Sequence, residues 1–271
     1  MANGIVTNGG SAIGEAIGHN MEVILHEYID EFLADYHCHF MKETGYNPQT
    51  GKTSKKLLLY DNYGNDYNID GVITDESMRP LVLLESKYIR YKKHNRDKGS
   101  WICNAHSAIR KRYASIRASV AVLAGSWSRT SLAMIRSYDV NVFLVPFEYI
   151  SRLLRDVEID FEWEENDKDK AMLAWNKYQA LPDETKRRIA IRMVNLIKTP
   201  LLAFLGEVLD DTKAREVKKV IVEIITNIGE TRRYIFESRE EAVEFLNRFS
   251  LDEEFDGASL LSIYDLPIVE D

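Results

Sequence analysis

Asp70 and the tripeptide Glu85-Ser86-Lys87 bring two carboxylates and a lysine into one short part of the chain. Two carboxylates held close together repel each other, and such a pair suits a hard, oxygen-seeking divalent ion such as Mg²⁺. A metal ion there polarises a phosphoryl oxygen and binds the attacking water, while a neighbouring lysine orients that water or helps to deprotonate it. These residue types therefore predict phosphodiester hydrolysis, with Asp70 and Glu85 as metal ligands and Lys87 as a further catalytic residue.

Two short strands must position these side chains. Residues 81–84 are four consecutive apolar residues, which predicts a buried strand, and the alternation of side chains along a strand places Glu85 and Lys87 on one face. Asp70 belongs to a strand predicted at 67–73, and a turn with polar residues and a proline follows it. If the strands pair, the three side chains converge at one end of a sheet. The alternative is that Glu85 and Lys87 form a solvated pair without a function. Against it, charged side chains directly after four apolar residues are expected to be partly buried, and burying charge costs free energy.

At these residues the chain resembles the PD-(D/E)xK nuclease superfamily, which includes many type II restriction endonucleases. The pattern is Ile69-Asp70, fourteen intervening residues, then Glu85-Ser86-Lys87, with isoleucine in place of the proline. The resemblance covers about residues 12–150. It implies an α/β fold with a restriction-endonuclease-like core, in which a mixed central sheet is flanked by helices.

The resemblance also implies a function. We expect a Mg²⁺-dependent, sequence-specific endonuclease of double-stranded DNA, a type II restriction enzyme that acts as a homodimer and leaves a 3′-hydroxyl and a 5′-phosphate. One alternative is a structure-selective DNA repair or junction-resolving nuclease. Another is a non-catalytic DNA-binding module on the same fold, which the intact Asp70, Glu85 and Lys87 disfavour.

An amphipathic helix precedes the two strands. Apolar residues such as Ile13, Ile17 and Met21 recur mostly at every fourth position, which predicts a helix that ends near residue 40. Glu15 and Glu22 lie along one edge of its apolar stripe. The resemblance implies that a glutamate of this first helix can serve as an extra metal ligand, so Glu22 is a further candidate catalytic residue; the alternative is a plain solvated glutamate.

The charge distribution is uneven. The whole chain has a formal net charge of −8, yet residues 86–136 carry twelve Lys and Arg against one acid, a net charge of +11. A one-signed basic block after a candidate metal site is typical of a surface that follows phosphates, although a charge run is more often just a solvated face. We predict a basic loop at 88–100 and a helix over 101–117. The cations predicted to contact DNA are Lys92, Lys93, Arg96, Arg110 and Arg117.

The domain organisation is predicted from the change in pattern after residue 150. Residues 1–150 form the catalytic core, and residues 151–271 form a mainly helical region, with a long helix at 182–227 broken near Pro200. That region binds a partner subunit, contributes to DNA recognition, or buttresses the core. The two cysteines have no metal-like spacing, and no uninterrupted apolar stretch approaches the roughly 20 residues of a membrane span, so we expect a cytoplasmic protein without a membrane partner.

Overall fold

A mixed five-stranded β-sheet is the centre of the fold, and helices cover it, so the predicted α/β class is confirmed. The structure, a computed structural model, describes residues 8–43, 45–47, 52–54 and 57–255. Within them the helices are α1 (Gly9–Leu33), α2 (Asn95–Arg112), α3 (Arg129–Ser137), α4 (Phe147–Arg155), α5 (Lys168–Ala180), α6 (Asp183–Leu209), α7 (Arg239–Arg248) and α8 (Leu251–Phe255), and a 3-10 helix covers Lys92–His94. The strands are β1 (Cys38–Met41), β2 (Gly45–Asn47), β3 (Lys52–Ser54), β4 (Leu57–Tyr60), β5 (Asp66–Ile69), β6 (Gly71–Asp75), β7 (Pro80–Ile89), β8 (Ala118–Gly125), β9 (Val140–Pro146), β10 (Val220–Ile225) and β11 (Thr231–Phe236).

The central sheet has an antiparallel part and a parallel part. The strand order is β1-β6-β7-β8-β9; β1, β6 and β7 are antiparallel, whereas β7, β8 and β9 are parallel. The turn from β6 to β7 is tight because the Asp75 side chain accepts hydrogen bonds from the backbone N–H groups of Ser77 and Arg79. The parallel strands are connected through α2 and α3, since parallel neighbours need a crossover. The first half of β7 and almost all of β8 are apolar because both faces of these strands are covered.

Two helical layers enclose this sheet, and β7 shows which side chain meets which layer. Val82 and Leu84 lie in one hydrophobic cluster with residues of α1, α4, α5 and α6. Leu83 lies in another cluster, with Ala105 and Ile109 of α2. From Val82 onward, even-numbered residues of β7 therefore face the α1 layer and odd-numbered residues face the α2 layer, as strand alternation requires.

Several predicted elements were wrong. The first helix ends at Leu33, and residues 38–41 form β1 on the antiparallel edge of the sheet. Helix α4 had not been predicted. The long C-terminal helix continues through Pro200, since the buried Ile197, Leu201 and Leu205 hold both sides of the proline in the core. It ends at Leu209, and residues 220–225 form a strand paired with β11.

The chain divides into two compact units, one through Asp210 and one from Asp211. The first unit extends beyond the predicted boundary at residue 150 because α1 packs against both α5 and α6. The division of function between 1–150 and 151–271 stays a prediction. The second unit contains the β10–β11 hairpin, with the rings of Tyr234 and Phe236 packed on Phe245 of α7.

Helix α6 is the one helix among the described residues that has the length and apolar composition of a membrane span. Its buried residues, from Ile189 to Leu209, belong to the hydrophobic cluster that includes α1. The expectation of no membrane partner stays a prediction.

Candidate active site

Asp70 lies in a bend between β5 and β6, so the strand predicted at 67–73 is interrupted at this residue. Two hydrogen bonds attach the bend to β7. The Ser86 N–H donates to Asp70 Oδ2 at 2.9 Å, and the Asp70 N–H donates to Glu85 Oε2 at 3.4 Å. The next residue, Gly71, has no room for a side chain, because a Cβ there would lie 2.5 Å from Cε2 of Phe40. This local packing places the Asp70 carboxylate beside that of Glu85.

Lys87 links the two carboxylates. Its Nζ donates to Asp70 Oδ2 at 2.8 Å and forms an ion pair with Glu85 Oε1. The exposed fraction of the side chain is 0% for Glu85, 19% for Asp70 and 25% for Lys87. The predicted convergence of the three side chains is therefore confirmed, while their catalytic roles stay predictions.

A cleft of about 450 Å³ opens over these side chains on the α2 face of the sheet. Besides the three charged residues, Asn68, Asp97, Lys98 and Trp101 line it. Lys87 Nζ lies 5.7 Å from the centroid of the Trp101 ring, within range of a cation–π interaction. The cleft thus contains acidic side chains that could bind a metal ion and basic side chains that could bind a phosphate group.

The environment shifts the pKa values of Glu85 and Lys87. Burial, and then the nearby charge of Asp70, raise the pKa of Glu85 to about 8, against the smaller opposite effect of Lys87. Burial acts to lower the pKa of Lys87, but the charges of Glu85 and Asp70 outweigh it and raise this pKa above its ordinary value. Lys87 is therefore a persistent cation, and without another cation the buried Glu85 holds a proton near neutral pH.

The shifted pKa of Glu85 predicts a pH dependence of stability. Between pH 4.5 and 8 the folded protein retains a proton on Glu85 that the unfolded chain has lost, so the free energy of unfolding falls as pH rises through this range. The half-buried His26 and the buried His106, with pKa values lowered to about 4 and about 3, act in the opposite direction but only below about pH 6.5. Urea denaturation in EDTA should therefore show a loss of about 1 to 2 kcal/mol between pH 6.5 and 8.

The matched control for this pH effect is Glu85→Gln, which keeps the shape of the protonated carboxyl and cannot ionise. Its free energy of unfolding should be nearly independent of pH between 6.5 and 8. The same slope in the wild type and in this variant would contradict the assignment of the titration to Glu85.

Helix α1 approaches β7 closely because of two glycines. A Cβ at Gly14 would lie 2.9 Å from Cε1 of Tyr88, and one at Gly18 would lie 3.0 Å from the Tyr88 Cβ. The Tyr88 ring therefore packs directly on the helix backbone. This close approach brings the next turn of α1, which carries Glu22, towards the acidic end of β7.

Glu22 is within electrostatic reach of the site. Burial and then the charge of Asp70 raise its pKa, and the charge of Lys87 lowers it. Its Oε1 lies 3.8 Å from Nε2 of the half-buried His26. Glu15, about two turns earlier on α1, is exposed. The structure therefore favours Glu22 over Glu15 as the glutamate that α1 directs towards Asp70, and a role in metal binding stays a prediction.

The residues in the cleft could bind Mg²⁺ with only a few protein ligands. Protein-bound Mg²⁺ needs oxygen ligands and usually keeps several waters, so one or two carboxylates suffice. Asp70 and Glu85 supply two adjacent carboxyl groups, and the Lys87 ammonium contacts both of them. No group of three or more His, Cys, Asp or Glu that could hold a metal ion is present in the part of the chain that the structure describes.

The basic segment after β7 is mostly helical, which corrects the predicted loop at 88–100. The 3-10 helix begins at Lys92, and α2 begins at Asn95, so Arg96 belongs to its first turn. Lys92 and Arg96 are exposed. Lys93 forms an ion pair with Glu165, which neutralises part of its charge.

The two remaining predicted DNA contacts lie further from the carboxylates. Arg110 is half-buried on α2, and its Nη1 donates to the backbone oxygen of Asp139 at 3.4 Å. Arg117 lies beyond the end of α2, not on it, and donates to the backbone oxygen of Val208 at 3.1 Å. The Arg117 N–H bonds the Leu81 oxygen, so Arg117 is level with residue 81 and about 20 Å along the strand direction from Lys87.

Sequence reasoning missed four residues that line the cleft, namely Asn68, Asp97, Lys98 and Trp101. Trp101, the first residue of the helix predicted over 101–117, is 38% exposed. The signal lay in the spacing: residues 97, 98 and 101 share one face of a helix that begins at Asn95. Because the helix had been predicted to begin at residue 101, that face was not recognised.

Comparison of the chain with protein-family models, with curated proteins and with solved structures gives no match.

Proposed function

We propose that the protein is a Mg²⁺-dependent endonuclease that hydrolyses phosphodiester bonds of double-stranded DNA. The observation that carries the proposal is the contact of Lys87 with both Asp70 and Glu85, with Glu85 fully buried at the end of an apolar run. A structural Glu–Lys pair is normally solvated, because burying charges costs several kcal/mol per ion. Strongly perturbed titratable groups in a cleft are typical of functional sites. The resemblance of Asp70 and Glu85-Ser86-Lys87 to the PD-(D/E)xK pattern supports the same chemistry.

Each side chain has a role in this proposal. Asp70 and Glu85 would hold the ion, which, when bound, polarises the phosphoryl oxygen and activates water for attack. Lys87 has a raised pKa, so it acts as a cation that stabilises negative charge developing on the phosphoryl group and orients the attacking water. The Ser86 N–H and Lys87 Nζ, both bonded to Asp70 Oδ2, hold the Asp70 carboxylate in one orientation.

The finer proposal is a type II restriction enzyme, a cytoplasmic homodimer that cuts both strands at a fixed sequence. Purified protein should be incubated in Mg²⁺ and in EDTA with a linear duplex library, a four-way junction and a flap substrate. Discrete Mg²⁺-dependent fragments from the duplex library support restriction. Cleavage confined to the junction or flap would favour a repair nuclease, and binding without any cleavage would favour a non-catalytic DNA-binding module.

Glu22 and Glu15 provide a matched test on one helix. If Glu22 acts as a metal ligand or orients metal-bound water, Glu22→Gln should raise the Mg²⁺ concentration at half-maximal cleavage about tenfold, since one lost ligand contact is worth over 1 kcal/mol. Glu15→Gln, an exposed position, should change it less than twofold. Equal and negligible effects of the two substitutions would contradict a role of Glu22 in metal binding.

The basic segment predicts a change in the salt dependence of DNA binding. Each cation that touches the backbone contributes about 0.9 to the slope of log affinity against log salt. In Ca²⁺, the double variant Lys92→Gln, Arg96→Gln should therefore flatten the slope by one to two units and leave sequence preference unchanged. Arg117→Gln, at the other end of β7, should change the slope by less. An unchanged slope in the double variant would place the DNA on another surface.

A further inference from the structure

A second cavity, of about 570 Å³, lies on the α1 face of β7, opposite the cleft over Asp70. Its walls include the glycine-containing face of α1 and the even-numbered residues Ser86, Tyr88 and Arg90. Its volume is within the usual range for small-ligand sites, about 300 to 1,000 Å³. Lys98 lines both this cavity and the Asp70 cleft, so the two open next to each other.

Arg90 is the unusual residue of this cavity. Only 8% of it is exposed, and it is stacked among aromatic rings, with its Cζ 3.7 Å from the Trp163 ring centroid and 4.3 Å from that of Phe161. Its Nη2 donates a long hydrogen bond, 3.4 Å, to the Trp163 oxygen. Its Nε and Nη1 are buried without a hydrogen-bond partner among the described residues, and none of their carboxylates forms an ion pair with it.

Stacking explains why the charge is tolerated but leaves the donors free. Aromatic rings attract a guanidinium through its flat faces, whereas its N–H groups project outward in the plane. A buried donor without a partner carries an uncompensated cost of desolvation, which is larger when the group is charged. An oxyanion that accepts two parallel N–H bonds would satisfy Nε and Nη1 together.

Tyr88 adds a third donor to the same wall. Its hydroxyl is buried and interacts with the neighbouring Arg90 guanidinium, although no hydrogen bond of ordinary geometry joins it to a described residue; burial raises its pKa more than the Arg90 charge lowers it, so it stays protonated. His19 and Lys98 contribute further polar groups, while Glu15 and Glu22 line the opposite side. The donors of Tyr88 and Arg90 are thus together on one wall, and the acids are on α1.

We propose that Arg90 and Tyr88 bind a phosphate group of the nucleic-acid strand being cut, next to the phosphodiester at Asp70, Glu85 and Lys87. This proposal rests on the proposed nuclease function. Arg90 follows the last residue of β7 and lies three residues beyond Lys87, about 10 Å along the strand direction. The subsite would align the strand so that one particular phosphodiester meets Lys87.

The test is binding in EDTA, where no cleavage occurs. The probes are inorganic phosphate, an oligothymidylate with a 5′-phosphate and the same oligothymidylate without a terminal phosphate, measured by calorimetry. Arg90→Gln should weaken oligonucleotide binding at least tenfold, as expected for a lost hydrogen bond between charged groups. Tyr88→Phe, which keeps the ring packed on α1, should weaken it about fivefold, and Arg155→Gln, the same chemical change at an exposed site, should leave it unchanged.

An NMR measurement distinguishes phosphate binding from a merely structural arginine. The Nε–H signal of Arg90, identified by its loss in Arg90→Gln, should shift when the oligonucleotide is added and should shift less in Tyr88→Phe. If Arg90→Gln does not fold, Tyr88→Phe carries the test. A preference for the 5′-phosphorylated probe would identify a terminal phosphate, and equal binding of both oligonucleotides would identify an internal one.

Two results would contradict the proposal that Arg90 and Tyr88 bind a phosphate group. One is the absence of oligonucleotide binding by the wild type in EDTA, including the case in which inorganic phosphate alone binds. The other is oligonucleotide binding that neither Arg90→Gln nor Tyr88→Phe weakens. Because no cleavage is measured, these outcomes are separate from a failure of the nuclease proposal. Oligonucleotide binding that Arg90→Gln weakens, in a protein that cuts no DNA, would overturn only the nuclease proposal.

Discussion

Asp70→Asn, Glu85→Gln and Lys87→Ala are each expected to lower the rate of DNA cleavage more than about a thousandfold. The first two remove a carboxylate of the acidic pair that Lys87 contacts, and the third removes the cation that offsets charge on the phosphoryl group. Loss of transition-state stabilisation by several kcal/mol corresponds to this factor, since each 1.36 kcal/mol is tenfold in rate. Single-turnover cleavage at saturating Mg²⁺ and protein measures it directly.

Metal binding separates the roles of the three residues. Asp70→Asn and Glu85→Gln should also weaken Mg²⁺ binding, measured by calorimetry without DNA. Lys87→Ala should bind Mg²⁺ at least as tightly as the wild type, because the ammonium contacts both carboxyl groups and competes with the ion for them. Asp97→Asn, in the same cleft but outside the pair, should lower cleavage less than about tenfold. Wild-type cleavage by Lys87→Ala and Glu85→Gln would overturn the assignment.

A chain ending at residue 150 is expected not to fold, whereas a chain ending at residue 210 is expected to fold cooperatively. Seven large apolar residues of α6 are buried: Ile189, Met193, Val194, Ile197, Leu201, Leu205 and Leu209. Burying each is worth about 1.5–3 kcal/mol, so their loss alone matches the whole stability of a typical domain, about 5–15 kcal/mol. Circular dichroism and urea denaturation of the two truncated chains measure the difference.

Point substitutions on α6 give the matching control within the full chain. Met193 is fully buried and Leu196, on the same helix, is 44% exposed. Met193→Ala should lower the free energy of unfolding by about 2–5 kcal/mol, and Leu196→Ala by less than about 1 kcal/mol. Cooperative unfolding of the chain ending at residue 150 would show that the sheet does not depend on α5 and α6.

The sequence alone was sufficient to predict the cluster of Asp70, Glu85 and Lys87, because the pattern that indicates it lies in neighbouring residues. Four apolar residues before Glu85 predict a buried strand, and the period of two puts Glu85 and Lys87 on one face whatever the rest of the chain does. The turn after β6 is also local, since Asp75 bonds the N–H groups of residues that follow it directly. Pairing of these strands then brought Asp70 to the same place.

Predictions that depended on partners distant in the sequence were less accurate. β1 looked like the end of a helix because the apolar residues at 38–41 fit either period, and only pairing with β6 makes them a strand. Pro200 indicated a helix break, yet packing of Ile197 and Leu201 against the core outweighs its local cost. The boundary of the first compact unit depends on contacts of α1 with α5 and α6, which no local pattern reveals.

Composition determined that residues 86–136 are basic, but only the tertiary structure decided where each charge lies. Arg90 is buried among aromatic rings because it follows the strand on the α1 face, while Lys92 and Arg96 are exposed. Lys93 forms an ion pair with a residue far along the chain, and Arg117 lies at the other end of β7. Net charge can be summed along a sequence, whereas burial and ion pairing depend on which elements pack together. That packing leaves Lys92 on the surface and buries Arg90, the candidate phosphate ligand.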